Sequence, residues 1–191
     1  MAKRILHVVT NTAHYDDPTH PTSLLLSELT HAWHVFKEHA FQQTIISPNR
    51  ALSPIKPRAI YFTGGLGVIY DFPDNKDLQR ITREIFKQGG VVSSVCHGYC
   101  GLLNTRLLDG LYLVARRNIT GFTWREEVLA RVNKLVPYNT KEKLKKRGAS
   151  YKKAKLPFVS YTVVDGDLVT RRNPGSSKET ARKIVAVLGQ S

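Results

Sequence analysis

The sequence predicts an α/β fold built on a mostly parallel central sheet flanked by helices. Short apolar runs rich in β-branched residues alternate with amphipathic stretches, which is the rhythm of βαβ units. One of these runs, Val91–Val95, is typical of a strand that is buried on both faces of a parallel sheet. The chain has 191 residues, enough to bury a sizeable core, and we expect a single domain over residues 1–191.

The first half of the chain supplies four strands and two helices in alternation. The expected strands are Ile5–Thr10, Thr44–Ser47, Ala59–Thr63 and Val91–Val95. The helix Ser23–Glu38 carries an apolar stripe, and the helix Asp77–Gln88 is stopped by the two glycines that follow it. A segment with three prolines, Pro48–Arg58, is expected to link the second strand to the third.

The second half of the chain is less regular. The expected helices are Tyr99–Thr105, Trp124–Leu135, Thr140–Arg147 and Ser176–Leu188. The expected strands are Leu111–Ala115, Val159–Val164 and Leu168–Thr170. The dipeptide Asp165-Gly166 lies between apolar runs and predicts a hairpin that joins the last two strands.

The stretch from Val91 to Gly98 carries the strongest functional signal. An apolar strand leads to Cys96, and the chain then turns at once through His97 and Gly98. This pattern is typical of a strand-to-helix elbow that presents a nucleophile at the carboxyl edge of a sheet. A helix N-terminus beside the sulfur favours the thiolate. Cysteine is also among the most buried residue types, so a structural thiol is the alternative, and we favour the reactive role.

Further groups at the same edge of the sheet could support this chemistry. The glycines of Gly64–Gly67 follow the third strand and allow close backbone approach, and their N–H groups could form part of an oxyanion hole. His97 is either a general base or a helix-start residue. Cys100 is either a regulatory thiol or a small packing residue, and we favour packing.

Three carboxylates are candidates for proton transfer. Glu28 lies among leucines on the apolar face of the first predicted helix, where a carboxylate is costly to bury unless it is protonated or paired. It is therefore either a proton carrier or a residue at a solvated helix edge. Glu126 and Glu127 begin another predicted helix, and carboxylates in a first turn commonly interact with the helix dipole alone.

The composition limits the compartment and the partners. Two cysteines cannot frame a disulfide scaffold, so we expect the cytoplasm. No apolar run approaches the ~20 residues that cross a bilayer, so we expect no membrane. The net charge is +14, and residues 96–191 carry 19 Lys and Arg against 7 Asp and Glu. Their densest segment, Lys141–Lys155, is interpreted as a solvated helix face rather than a nucleic-acid surface, because aromatic residues are scarce in it.

Several motifs together resemble those of the ThiJ/PfpI superfamily, which is related to class I glutamine amidotransferases and to the parkinsonism-associated deglycase. The motifs are Tyr61–Gly67, Asp71–Asn75, Val95–Gly98, Ile119–Thr123 with the glutamates after it, Asp165–Thr170 and Asn173-Pro174. The last three resemble a heat-shock-type branch that contains chaperone-like proteins and cofactor-independent glyoxalase III enzymes.

The resemblance implies a flavodoxin-like sandwich and a homodimer. It identifies Cys96 as the nucleophile and His97 as the adjacent histidine. Glu28 would lie beside the sulfur with its proton retained, and Glu127 would complete a Cys-His-Glu triad, with Glu126 as the neighbouring candidate. The resemblance also implies that the backbone N–H groups of Gly65 and His97 form the oxyanion hole.

The activity implied by the resemblance is that of an enzyme on small reactive aldehydes. Such an enzyme is a glutathione-independent glyoxalase III, which converts methylglyoxal to lactate, or a protein deglycase. No metal and no cofactor are expected. The alternatives are a stress-response holdase chaperone, a thiol redox sensor without turnover, and an intracellular peptidase or amidase with the same nucleophile.

The chain departs from the family pattern around the expected site. Leu66 stands where a histidine is usual, Tyr99 where a proline is common, and Arg171-Arg172 where a glycine precedes the Asn-Pro motif. The linker Pro48–Arg58 is also shorter than the corresponding loop of most members.

Overall fold

A six-stranded sheet organises the described residues, which are 3–22, 24–49, 57–173 and 177–189 of the computed structural model. The strands of the described residues are β1 (Arg4–Val8), β2 (Gln42–Ile46), β3 (Ala59–Phe62), β4 (Val91–Val95), β5 (Asn118–Ile119), β6 (Ser150–Tyr151), β7 (Thr162–Asp165) and β8 (Leu168–Arg171). The α-helices are α1 (Leu26–Glu38), α2 (Val68–Asp71), α3 (Lys76–Lys87), α4 (Trp124–Leu129), α5 (Thr140–Lys146) and α6 (Ser177–Gly189). A 3₁₀ helix, Cys96–Leu102, follows β4 directly.

The strand order in the sheet is β2-β1-β3-β4-β8-β7. All neighbours pair in parallel except β7 and β8, which form an antiparallel hairpin. The chain moves from β1 outward to β2 and then returns to β3 on the other side of β1. Right-handed crossovers in opposite directions place α1 and α3 on opposite faces of the sheet, and α6 packs beside α1. The predicted α/β fold with a mostly parallel sheet is confirmed.

Burial of the strands follows their position in the sheet. Every residue of β3 and β4 is buried, because both strands are central and covered by helices on both faces. In β2, at the edge, only Ile46 is buried. The strand β4 has the predicted bounds, and its buried end places the following residues at the carboxyl edge of the sheet.

Two predictions for the second half of the chain are wrong. The stretch Leu111–Ala115 is not a strand, because its backbone makes local bonds: the N–H of Leu113 donates to Thr105 and that of Ala115 to Tyr112. The helix predicted over Trp124–Leu135 ends at Leu129, because Arg131 adopts a φ of 60°, which is incompatible with a right-handed helix.

Other boundaries differ from the expected ones. The helix expected over Tyr99–Thr105 is a 3₁₀ helix that begins at Cys96, so the turn follows the strand without a loop. The strand expected over Val159–Val164 is shifted to Thr162–Asp165. Four parts of predicted features lie outside the described residues: Ser23, Ser176, Pro174 and most of the linker Pro48–Arg58.

Candidate active site

Cys96 is the residue at which the chain turns from β4 into the 3₁₀ helix. Its φ is 54°, in the left-handed region that residues with a side chain rarely adopt. Such a conformation costs on the order of 1–3 kcal/mol and persists only where the surroundings enforce it. Gly98 is one of those surroundings, because a Cβ at this position would collide with the carbonyl oxygen of Phe62. The elbow therefore needs glycine two residues after the cysteine.

A chain of polar contacts leads from the sulfur into the protein. The Cys96 Sγ is 3.5 Å from His97 Nδ1, and His97 Nε2 is 3.1 Å from Glu127 Oε1. The N–H of Phe122 donates to the Cys96 carbonyl at 3.3 Å, which ties the segment before α4 to the elbow. Because a carboxylate only accepts, His97 donates from Nε2 and turns the lone pair of Nδ1 toward the sulfur.

Glu28 approaches the sulfur from the other side. It is fully buried in the first turn of α1, and its Oε2 accepts from the N–H of Gly64 at 2.5 Å. Gly64 has to be glycine, since a Cβ there would be 2.5 Å from Glu28 Oε2 and 2.7 Å from the Cβ of Cys96. Burial raises the pKa of Glu28 to about 7, although the bond from Gly64 acts in the opposite direction.

The thiol and this carboxyl group compete for one proton. Burial and the negative charge of Glu28 raise the pKa of Cys96 above its usual value, while the backbone N–H groups of His97 and Gly65 lower it. The expectation that the elbow alone favours the thiolate is therefore wrong in its net direction. A proton on Glu28 removes its negative charge from this balance and lowers the pKa of Cys96, so the two groups titrate as a coupled pair.

Glu126 is occupied by the scaffold. Its Oε2 accepts from the N–H and Oγ1 of Thr123 and from Arg172 Nε, and its Oε1 accepts from the N–H of Phe158 at 2.7 Å. With Thr123 it forms a reciprocal capping box at the start of α4. Glu127, not Glu126, is the carboxylate that the structure places beside His97.

An open cleft of about 370 Å³ gives access to the cysteine. Cys96, His97 and Gly65 lie in it, and most of the rest of its lining is apolar. Leu66 forms part of this wall at the position where the family usually has histidine. Cys100 does not line the cleft: it is fully buried, its Sγ is 3.9 Å from Thr140 Oγ1, and burial raises its pKa to about 12.

The sequence did not identify the residues that hold this site together. Tyr99 is fully buried and donates from its hydroxyl group to the Phe122 carbonyl at 2.8 Å. Its ring fills the space beside Gly121, where a Cβ would collide with it. Arg171, also fully buried, binds Glu179 at 2.8 Å, and its neighbour Arg172 binds Glu126. The only available signal was the departure of these positions from the family pattern.

No group of three or more side chains that could ligate a metal ion occurs in the part of the chain that the structure describes. Among the same residues, no helix is both long enough and apolar enough to span a membrane.

Comparison with known proteins gives consistent similarities. A sequence model of the DJ-1/PfpI family matches residues 44–187. Glyoxalase 3 of Candida albicans is 36% identical over 133 residues, and a glutathione-independent glyoxalase of Saccharomyces cerevisiae is 34% identical over 156. These alignments cover 66% and 73% of this chain but only 56% and 65% of the relatives. The crystal structure of glyoxalase III from Candida albicans superposes with a TM-score of 0.84 at 26% identity, over 97% of both chains.

Proposed function

This chain belongs to the DJ-1/PfpI family, and on that premise we propose that it is a cysteine-dependent glyoxalase that needs no glutathione. Its substrates would be small 2-oxoaldehydes, with methylglyoxal converted to lactate. One observation carries the proposal: Cys96, held at a strained elbow, lies 3.5 Å from His97, which is itself 3.1 Å from a buried carboxylate. The glyoxalases that resemble this chain support the choice of substrate.

In the first step the thiolate of Cys96 bonds to the aldehyde carbon. The electron pair of the carbonyl bond moves to its oxygen, which the N–H groups of Gly65 and His97 would stabilise; their hydrogen bonds to the sulfur support this role. Glu28 then gives its proton to this oxygen. A carboxyl group with a pKa near 7 is suited to such a transfer at neutral pH. The product is a hemithioacetal.

In the second step the ionised Glu28 removes the hydrogen of the former aldehyde carbon as a proton and returns it to the adjacent carbon. The hydroxyl proton moves to the second oxygen, and the hemithioacetal becomes a thioester of lactic acid. His97 then accepts a proton from water, and the resulting hydroxide displaces the thiolate. Glu127 orients the imidazole and stabilises its positive charge. Lactic acid then gives its carboxyl proton to Glu28 and His97 releases its proton to the solvent, so methylglyoxal and one water give lactate and one proton, and both residues return to their starting states.

The test measures lactate formation from methylglyoxal in the absence of glutathione. We expect the wild type to produce lactate and Cys96→Ala to produce none above background. Cys100→Ala is the matched control, because Cys100 is equally a buried thiol but does not line the cleft. It should retain activity within about threefold. Full activity of Cys96→Ala, or no turnover by the wild type, would contradict the proposal.

The homodimer and the cytoplasmic location belong to the same proposal. Val128 and Leu129 are exposed on α4, and Phe158, whose N–H binds Glu126 of that helix, is also exposed. These apolar side chains support association with a second copy. Both cysteines are free, as a thiol nucleophile in a reducing compartment would be. Sedimentation equilibrium tests the dimer, and a monomer at micromolar concentration would contradict it.

A further inference from the structure

A second cleft, of about 60 Å³, lies beside the first turn of α4. Five of the residues that line it are cationic: Arg125, Lys141, Lys153, Lys155 and Arg172. None of its lining residues is acidic, and none of them lines the cleft at Cys96. We call it the basic cleft. Its three lysines belong to the segment Lys141–Lys155, which was interpreted from the sequence as a solvated helix face.

The charges of the basic cleft are poorly compensated. Within the described ranges, the ion pairs of the protein include none made by Arg125, Lys141, Lys153 or Lys155. Unpaired lysines also occur elsewhere among the described residues, so what distinguishes the basic cleft is that its cations converge on one point. Like charges that converge on one point repel each other and destabilise the folded state unless an anion lies between them.

Arg172 supplies the second observation. It is 2% exposed, and its guanidinium is fixed by Glu126 at Nε and by the carbonyl oxygens of Leu156 and Ala154 at Nη1. Among the described residues, nothing accepts a hydrogen bond from its Nη2. Nη2 is not among the buried atoms that lack a partner, so it is open to solvent, and a guanidinium held in one orientation is well suited to an oxyanion. Arg172 lines the cleft, and its Nη2 is therefore available to donate to a ligand oxygen.

We propose that the basic cleft binds a phosphate group carried by a small molecule. At about 60 Å³ the cleft is several times larger than the ~10–15 Å³ that a cavity needs to hold one water, so a phosphate group fits between the cations. The exposed Lys153 and Lys155 would lie beside the solvent-facing part of the ligand. A nucleic-acid backbone is less suitable, because its phosphates require cations spread along a track, whereas these cations converge on one point.

The test is a calorimetric titration with inorganic phosphate at constant ionic strength. The double variant Arg125→Ala/Lys153→Ala removes two exposed charges of the basic cleft. The control Lys145→Ala/Lys146→Ala removes two exposed charges of α5 that do not line it. We expect one phosphate to bind the wild type, the first variant to bind at least about tenfold more weakly, and the control to bind within about twofold of the wild type.

Several outcomes would overturn the inference. Equal weakening by both variants would show that phosphate responds only to diffuse surface charge. No binding by the wild type at ~10 mM phosphate would leave the cleft without its ligand. Circular dichroism of both variants checks that they fold, and a rise in the melting temperature of the wild type with phosphate is an independent readout. If a 12-nucleotide DNA binds and both variants weaken it, the partner is a nucleic acid and not a small molecule.

Discussion

Glu126 and Glu127 are consecutive in sequence and are both buried, with 0% and 1% exposure, but their surroundings differ completely. Glu126 accepts hydrogen bonds from Thr123, Phe158 and Arg172. Glu127 accepts from His97 through one oxygen, and its Oε2 has no partner among the described residues. Both oxygens of Glu126 therefore accept hydrogen bonds, whereas only one oxygen of Glu127 does so among the described residues.

The difference predicts a structural role for Glu126 and a chemical one for Glu127. A buried carboxylate whose two oxygens both accept hydrogen bonds stabilises the fold and has little freedom to respond to a change of charge nearby. A carboxylate with one partner and one free oxygen stays responsive to the protonation state of that partner. Glu28 follows the second pattern, since its Oε1 also lacks a partner among the described residues.

The largest expected effect is the loss of activity in Glu127→Gln. A glutamine does not stabilise the imidazolium form of His97, so we expect kcat/KM for methylglyoxal to fall by about 10³-fold. Glu126→Gln, the matched control, should lose less than about tenfold once its folded fraction is taken into account. Equal losses in the two variants would show that the position in α4, and not the contact with His97, determines the effect.

For stability we expect the opposite order, with the greater loss in Glu126→Gln and the smaller in Glu127→Gln. Glu126→Gln leaves the buried guanidinium of Arg172 without its counter-charge, and we expect a loss of about 3–5 kcal/mol in the free energy of unfolding. Glu127→Gln keeps an acceptor for His97 and should change that free energy by less than about 1 kcal/mol. Urea unfolding of both variants measures the difference. A greater loss in Glu127→Gln would reverse the assignment of roles.

A third prediction concerns Glu28 and pH. Its folded pKa of about 7 is above its ordinary value of 4.5, so its contribution to stability is complete below pH 4.5 and is lost as the pH rises through 7. The loss is up to about 3 kcal/mol by pH 8. Glu28→Gln should lack this part of the pH dependence, which urea unfolding at pH 4.5 and pH 8 would detect.

The same variant gives a second readout at the sulfur. Removing the charge of Glu28 should lower the pKa of Cys96, so alkylation by iodoacetamide should begin at lower pH in Glu28→Gln than in the wild type. Parallel stability curves together with unchanged alkylation would contradict the coupling of the two groups.

The smallest expected effect is at the cap of α4. Thr123→Ala removes the hydroxyl group that accepts from the N–H of Glu126 and should cost about 1 kcal/mol of unfolding free energy. Thr123→Ser keeps that hydroxyl and is the control. Because this contact involves Glu126 and not Glu127, kcat/KM should stay within about twofold in both variants. A large loss of activity in Thr123→Ala alone would show that Glu127 depends on the cap.

Local patterns were enough to predict the sheet and the elbow. The apolar, β-branched run Val91–Val95 predicts a central strand, and the residues after it predict a turn. The burial of Glu28 was suggested by its leucine neighbours in α1. The strand predicted over Leu111–Ala115 was wrong because a turn with buried apolar residues has the same composition as a strand. The catalytic roles of Cys96 and its neighbours remain predictions.

The choice between Glu126 and Glu127 could not be made from the sequence. Both are in the first turn of a helix, about 100° apart around its axis, and either could face the site. The decision depends on Phe158 and Arg172, which lie 32 and 46 residues further along the chain. Contacts at such separations leave no local pattern. The basic cleft was missed for the same reason, since its cations come from four separate segments.

The packing of Tyr99 against Gly121 couples the substitutions that the two positions can accept. A Cβ at position 121 would collide with the tyrosine ring, so no side chain fits there while position 99 holds tyrosine. A residue larger than glycine at 121 therefore requires a smaller residue at 99 in the same variant. At these two positions the chain can change only as a pair, or at Tyr99 first.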